Sequence, residues 1–230
     1  MSKSGMLKSS IARKVAMALS AFFLMFFLLQ HLAINITSVF SADTFNELSQ
    51  FMGTNPIVQF VMQPILLFGV LFHFIMGFVL EFRNRGSRNV NYVKNNGSAN
   101  SSWMSRNMIL SGLVILAFFC LHFIDFWIPE VNTKFVQGNW SGMGHEGLLT
   151  GEFRYFHELQ EKFENPIRVG VYCLAFIFLA LHLLHGFNSA FQSVGANNKY
   201  TKGLKKFGTA YAILIPLGFI FIALFHHFNH

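Results

Sequence analysis

Residues 15–40 read VAMALSAFFLMFFLLQHLAINITSVF, 26 positions without one Asp, Glu, Lys or Arg. At 1.5 Å of rise per residue such a run makes a helix about 39 Å long, enough to cross a hydrocarbon core of about 30 Å. Water would tolerate it only with a polar face, and none is present. Runs of the same kind recur at 57–82, 108–128, 167–191 and 207–228. The fold class that follows is all-α, an integral membrane bundle of five transmembrane helices over about 15–40, 57–82, 106–128, 167–191 and 207–228. The whole chain, 1–230, reads as a single membrane domain, because no stretch outside the runs is long enough for a second one.

Composition agrees. The chain is 53% apolar and 12% charged and holds 30 phenylalanines, too apolar for an ordinary water-soluble domain of this length. A net charge of +7 would suit nucleic acid if it were clustered on one polar face. Instead the basic residues sit between apolar runs: Lys3, Lys8, Arg13 and Lys14, then Arg83, Arg85, Arg88, Lys94 and Arg106, then Lys199, Lys202, Lys205 and Lys206, which make 13 of the 17. All fall on one side of a five-span path, whereas the opposite segments carry Asp43, Glu47 and a glutamate-rich stretch. The positive-inside rule then puts the N-terminus in the cytoplasm and the C-terminus outside, with lipid and not nucleic acid as the surrounding partner. The basic start precedes a run too long for a signal-peptide core and reads as the first span.

The segment 89–102 is rich in Asn, Ser and Gly without apolar periodicity and reads as a cytoplasmic connector. In the outer segment 129–166, Phe153, Phe156, Leu159 and Phe163 recur at helical spacing between glutamates, which predicts an amphipathic helix over about 152–163 on the outer face. Cys120 and Cys173 lie in separate apolar runs with no metal-type or haem-attachment spacing and read as packing residues.

Ten histidines accompany ten acidic residues, and four of them, His31, His73, His122 and His182, fall one in each of the first four runs. A lone intramembrane histidine often packs against a neighbouring carbonyl; four in succession point to a shared task. His31 lies 17 residues past Lys14 and His122 lies 16 past Arg106, so both stand about 25 Å from the cytoplasmic anchors. His73 precedes Arg83 by ten residues and His182 precedes the end of its run by nine, about 15 Å from the same side. Two pairs at two depths are what six-coordinate haem iron needs, one imidazole from either side of a porphyrin. The first four helices are therefore expected to enclose two haem b groups, with His31 and His122 as axial iron ligands in an outer tier and His73 and His182 in an inner one.

Gly69 and Gly77, one turn either side of His73, and Gly186, one turn after His182, leave room for a flat ring, although small residues also serve plain helix packing. Phe27, Phe72, Phe118, Phe119 and Phe178 either line ring faces or face core and lipid. His185 competes with His182 on nearly the same face and reads as its polar neighbour. His145, His157, His226, His227 and His230 fall in outer segments and read as solvated. Ser20, Arg83, Ser105 and Arg106 lie near the inner end and suit haem propionates, while the arginines also set topology. Among acidic residues, Asp125, one turn beyond His122, is the foremost candidate for proton transfer and Glu47 the second, with Gln30 and Asn35 at similar depth. Zinc would want H-E-x-x-H or carboxylates among the histidines, and neither occurs.

On Lys14 to Ser20 leading to His31 and Asn35, Ser105-Arg106-Asn107-Met108 leading to His122 and Asp125, and His182 four residues before Gly186, the chain resembles the cytochrome b subunit of succinate dehydrogenase and fumarate reductase, the membrane anchor in the single-chain, five-helix, di-haem class. The likeness covers nearly the whole chain. It implies a complex II anchor bound on its cytoplasmic side to a flavoprotein subunit and an iron–sulfur subunit, with His73 and His182 on the haem nearer those subunits and His31 and His122 on the distal one. It also implies a quinone substrate, menaquinone by analogy, in the respiratory chain of a bacterial cytoplasmic membrane. Such a quinone needs an apolar slot, groups to bond its carbonyls and a proton donor, for which Asp125 and then Glu47 are the candidates. Dicarboxylate turnover would belong to the partners, since the chain has no G-x-G-x-x-G and no cysteine array. Some fumarate reductases of the class carry a glutamate two residues before the fourth-span ligand, where Ala180 stands here. The alternatives are a di-haem anchor of a hydrogenase or formate dehydrogenase, and a haem-free proton-coupled transporter; broken helices or repeated halves would suit the latter, and the sequence shows neither.

Overall fold

The computed structural model describes residues 9–86, 107–144, 153–196 and 199–229. Seven helices account for nearly all of them: α1 Ser10–Phe40, α2 Ala42–Thr54, α3 Val58–Asn84, α4 Met108–Val136, α5 Tyr155–Glu164, α6 Pro166–Ser193 and α7 Thr201–Phe228. One isolated bridge, Met143 to Phe153, is the only β-pairing among the described residues. α1, α3, α4, α6 and α7 are each long and apolar enough to cross a membrane. Their outward faces carry Phe26, Phe68, Leu71, Ile124 and Leu214, all more than half exposed. A water-facing bundle would not present so broad an apolar surface, whereas lipid accepts it at no cost.

Polar residues punctuate the helices at one end of the bundle. Ser41 Oγ accepts from the Thr44 N–H at 3.1 Å and starts α2. Asn55 Oδ1 accepts from Ile57 at 2.9 Å and Val58 at 3.3 Å to start α3. Asn165 Oδ1 does the same for Ile167 and Arg168, with Pro166 at the first turn of α6, where its missing N–H is no loss. α1 packs on α3, α6 and α7, α6 packs most extensively on α7 and also on α4, and α3 and α4 touch only lightly. The core therefore runs along α6 and α7, where Tyr172, Phe176, Phe187, Ala212, Phe219 and Ala223 are buried.

Several bounds differ from the sequence expectation. α1 starts at Ser10 and not 15, because its basic residues join the helix before the apolar run begins, and three further differences have their own physical reasons. Residues 41–56, read as a connecting loop, contain α2, whose polar composition hid a short amphipathic helix that buries Phe45 and Gly53. α4 continues past 128 to Val136: π turns at Phe123–Trp127 and Asn132–Val136 flank Pro129, and such wide turns absorb a residue that cannot donate to the helix ladder. α7 begins at Thr201 and not 207, because its basic first turns form a helix before the apolar stretch starts. The amphipathic helix expected over about 152–163 is α5, with Leu159 and Phe163 buried; residue 152 lies outside the described residues, as do the 89–102 connector and His145.

α2, the end of α4 and α5 form a cap joined by buried charge. Lys134 is 1% exposed, bonds the Gly53 carbonyl and pairs with Glu130, and lies 5.7 Å from the Trp140 ring centre. Arg154 pairs with the same Glu130 and, at 2.6 Å, with Glu158. Tyr155 donates to Gln50 Oε1 at 2.7 Å, and burial together with the Glu130 carboxylate pushes its phenol pKa up, so it stays a donor. Gly142, at φ 74°, lies against Gln50 where a Cβ would collide with the amide, so glycine is required there on two grounds.

Candidate functional site

Each of the first four spans contributes one histidine, and the structure brings them together in two pairs. His31 on α1 faces His122 on α4 with ring centres 5.8 Å apart and planes at 89°. His73 on α3 faces His182 on α6 at 6.4 Å and 66°. The first pair lies nearer the cap, the second nearer the opposite end. With a metal–imidazole bond of about 2 Å and about 1.1 Å from ring nitrogen to ring centre, two imidazoles on opposite sides of one iron have centres about 6 Å apart. The spacing of both pairs fits axial ligation. Among the described residues no group of three or more His, Cys, Asp or Glu side chains gathers as a metal site made of protein alone would need.

The two pairs have different surroundings. In the cap-side pair, Phe27 stacks on His31 at 5.4 Å, Phe219 lies 5.7 Å away, Phe118 stacks on His122 at 5.8 Å and Phe126 is 5.2 Å from it. Asn35 Nδ2 donates to the His31 carbonyl at 2.8 Å and stands 3.5 Å from Nδ1, the limit of a hydrogen bond. His122 Nδ1 is buried without a partner. In the far pair both Nδ1 atoms meet a hydroxyl: His73 with Ser20 on α1 at 3.0 Å, and His182 with Ser111 on α4 at 3.1 Å.

Ser20, expected near a propionate, thus lies against a histidine ring nitrogen, and Ser111 was not singled out in the sequence. Its only mark there was a polar position inside a very apolar run, eleven residues before His122. Gly112 is a second residue the sequence reading passed over: a Cβ there would stand 3.9 Å from His182 Cε1. Gly69 lies under Phe23, with which a Cβ would clash at 2.7 Å, and Gly77 lies 3.7 Å by the same measure from Met17, so both serve the packing of α3 on α1. A Cβ at Gly186 would meet nothing within 4 Å. His185 is half-buried, Arg83 is exposed, and Ser105 and Arg106 lie outside the described residues.

Asp125 occupies the π turn of α4 and is 3% exposed. Tyr172 on α6 donates to its Oδ2 at 2.8 Å, and Arg168 pairs with Oδ1 at 3.3 Å. Tyr172 is itself buried and packs its ring on Phe118, 4.9 Å away, which in turn stacks on His122. The carboxylate is therefore tied to the cap-side pair through one ring. Glu47 is exposed on α2, away from any such cluster of described partners.

His226 corrects the solvated reading given to the C-terminal histidines: it is 0% exposed, with Nε2 2.8 Å from Ser38 Oγ, its ring 5.5 Å from Phe156, and a buried Nδ1 that has no partner. His227 Nδ1 lies 2.8 Å from the Phe163 carbonyl. The end of α7 turns in under α5, which composition alone did not indicate. Compared with family models, curated proteins and solved structures, the chain matches none.

Proposed function

We propose that this chain is the di-haem cytochrome b membrane anchor of a succinate:quinone oxidoreductase, exchanging electrons between an iron–sulfur subunit and a quinone of the menaquinone type. The observation that carries the haem reading is the presence of two imidazole pairs, at two depths of one apolar bundle, each with the ring spacing of ligands on a common iron. Haem supplies a one-electron carrier that the side chains of this protein cannot provide. The choice of complex II over a hydrogenase or formate dehydrogenase rests on the sequence resemblance.

The residues divide the work. His31 with His122, and His73 with His182, present imidazole nitrogen from opposite helices, and the phenylalanines around the cap-side pair keep water from it. Asp125 and Tyr172, both buried, form with the partly exposed Arg168 an acid–phenol–guanidinium group one turn beyond His122, the kind of polar cluster at an apolar site that bonds a quinone carbonyl and hands over a proton. Because both Asp125 oxygens are engaged, Asp125 acts together with Tyr172, whose hydroxyl proton already points at Oδ2. In this reading the basic segments face the cytoplasm and receive the flavoprotein and iron–sulfur subunits, and the cap faces outward.

The test is a reduced-minus-oxidised spectrum of the purified chain with a haem count. Two b-type haems per chain are expected; none would remove the redox reading and leave the haem-free transporter.

A further inference from the structure

We infer that Ser20 and Ser111 are positioning residues that fix the tautomer and orientation of the two far-tier histidines, His73 and His182, and strengthen electron donation from Nε2, an inference that rests on the two-haem reading above. A serine inside a transmembrane helix commonly returns its hydroxyl proton to a carbonyl of the preceding turn, and both do so here: Ser20 to Met17 at 2.8 Å and Ser111 to Met108 at 2.9 Å. A hydroxyl has one proton to give. With that proton spent on the backbone, Oγ offers only lone pairs to the imidazole, so the bond at 3.0 Å from Ser20 and at 3.1 Å from Ser111 is one in which His Nδ1–H donates. The neutral ring then carries its lone pair on Nε2, the nitrogen left to bind a metal.

The arrangement occurs twice with the same chemistry. In each case the serine sits on a helix other than the histidine's own: Ser20 on α1 serves α3, and Ser111 on α4 serves α6. Both serve the same pair, while the cap-side pair has only a marginal Asn35 contact on one ring and no partner on the other. Two unrelated serines satisfying themselves on their own backbone would have no reason to meet the two members of one pair. An acceptor on Nδ1–H increases electron density at Nε2, which favours the ferric over the ferrous state of a bound iron and locks ring rotation.

The experiment uses the haem-loaded chain with Ser20→Ala, Ser111→Ala and the matching threonine variants, read by haem count, by potentiometric titration of the haem absorbance, and by the low-spin ferric electron paramagnetic resonance signals. A His31→Leu chain, which keeps only the far-tier pair, identifies which centre moves. Each alanine variant is expected to retain two haems and to raise one midpoint potential, that of the far-tier centre. A tenfold change in the ferric-to-ferrous ratio corresponds to about 59 mV for one electron. The other potential stays in place, and threonine, which keeps the oxygen, restores the original value. Unchanged potentials and resonance signals in both alanine variants, or a shift confined to the cap-side centre, would overturn the inference while leaving the two-haem reading intact. Should an alanine variant shed its far-tier haem, the threonine variant decides: haem retained at the wild-type potential supports the inference, and loss overturns it. A wild-type chain without haem overturns both.

Discussion

The two histidine tiers perform the same steric task by different means. The far tier relies on hydroxyl oxygens from neighbouring helices, so each imidazole is oriented by a directional bond. The cap-side tier relies on bulk: Phe27, Phe118, Phe126 and Phe219 pack around His31 and His122, and the charged cap closes that end through Lys134, Glu130 and Arg154. Hydrogen bonds fix one angle cheaply at a point of low dielectric, whereas aromatic packing restricts several motions but leaves the ring nitrogens electronically alone. The difference predicts that the far tier is sensitive to single oxygen atoms and the cap-side tier to the integrity of the cap.

The largest expected effect separates the tiers outright. In the proposed di-haem anchor, replacing His182 with Leu is expected to remove one haem and His31→Leu the other, each lowering the count from two to one with distinct residual spectra; a chain that keeps both haems after either change breaks the pairing. Next comes Asp125→Asn, expected to lower quinone turnover by about 100-fold in the assembled complex while both haems remain. Turnover at the wild-type rate removes Asp125 from the mechanism. Lys134→Ala leaves Glu130 and the Gly53 carbonyl without their buried partner and is expected to cost about 2 kcal/mol. Its thermal melt in detergent should show the cap-side haem leaving first, and equal loss from both tiers would show that the cap does not act locally. The smallest change is Tyr172→Phe, which deletes one bond to Asp125 at about 1 kcal/mol and keeps the ring packed on Phe118. A fall in quinone turnover without loss of haem would place the phenol in proton exchange, and a change in stability alone would assign it to orientation.

Much of this arrangement is legible in the amino-acid sequence. Five apolar runs announced five helices because lipid requires nearly every outward residue to be apolar over a whole span, a signal too long to be lost in noise. The depth of His31, His73 and His122 follows from their distance to the basic anchors and that of His182 from the end of its apolar run, because a helix has a fixed rise, and the pairs His31 with His122 and His73 with His182 emerge from that arithmetic. α2 was less visible: thirteen residues of mixed polarity bury one face against α5, and so short a pattern cannot be told from a loop without its partner. The burial of His226 was hidden for the same reason, since position at a chain end says nothing of what folds over it.

The amino-acid sequence by itself determined the apolar character of the bundle, the number of long apolar helices and the position of the four imidazoles along them, since all three depend on composition and on distance along one axis. Rotation about that axis is another matter. Which way Ser111 points, that Ser20 serves a histidine on another helix, and that Asp125 meets both Tyr172 and Arg168 across a π turn were decided only by tertiary structure, because azimuth is set by packing between helices and no single helix encodes it.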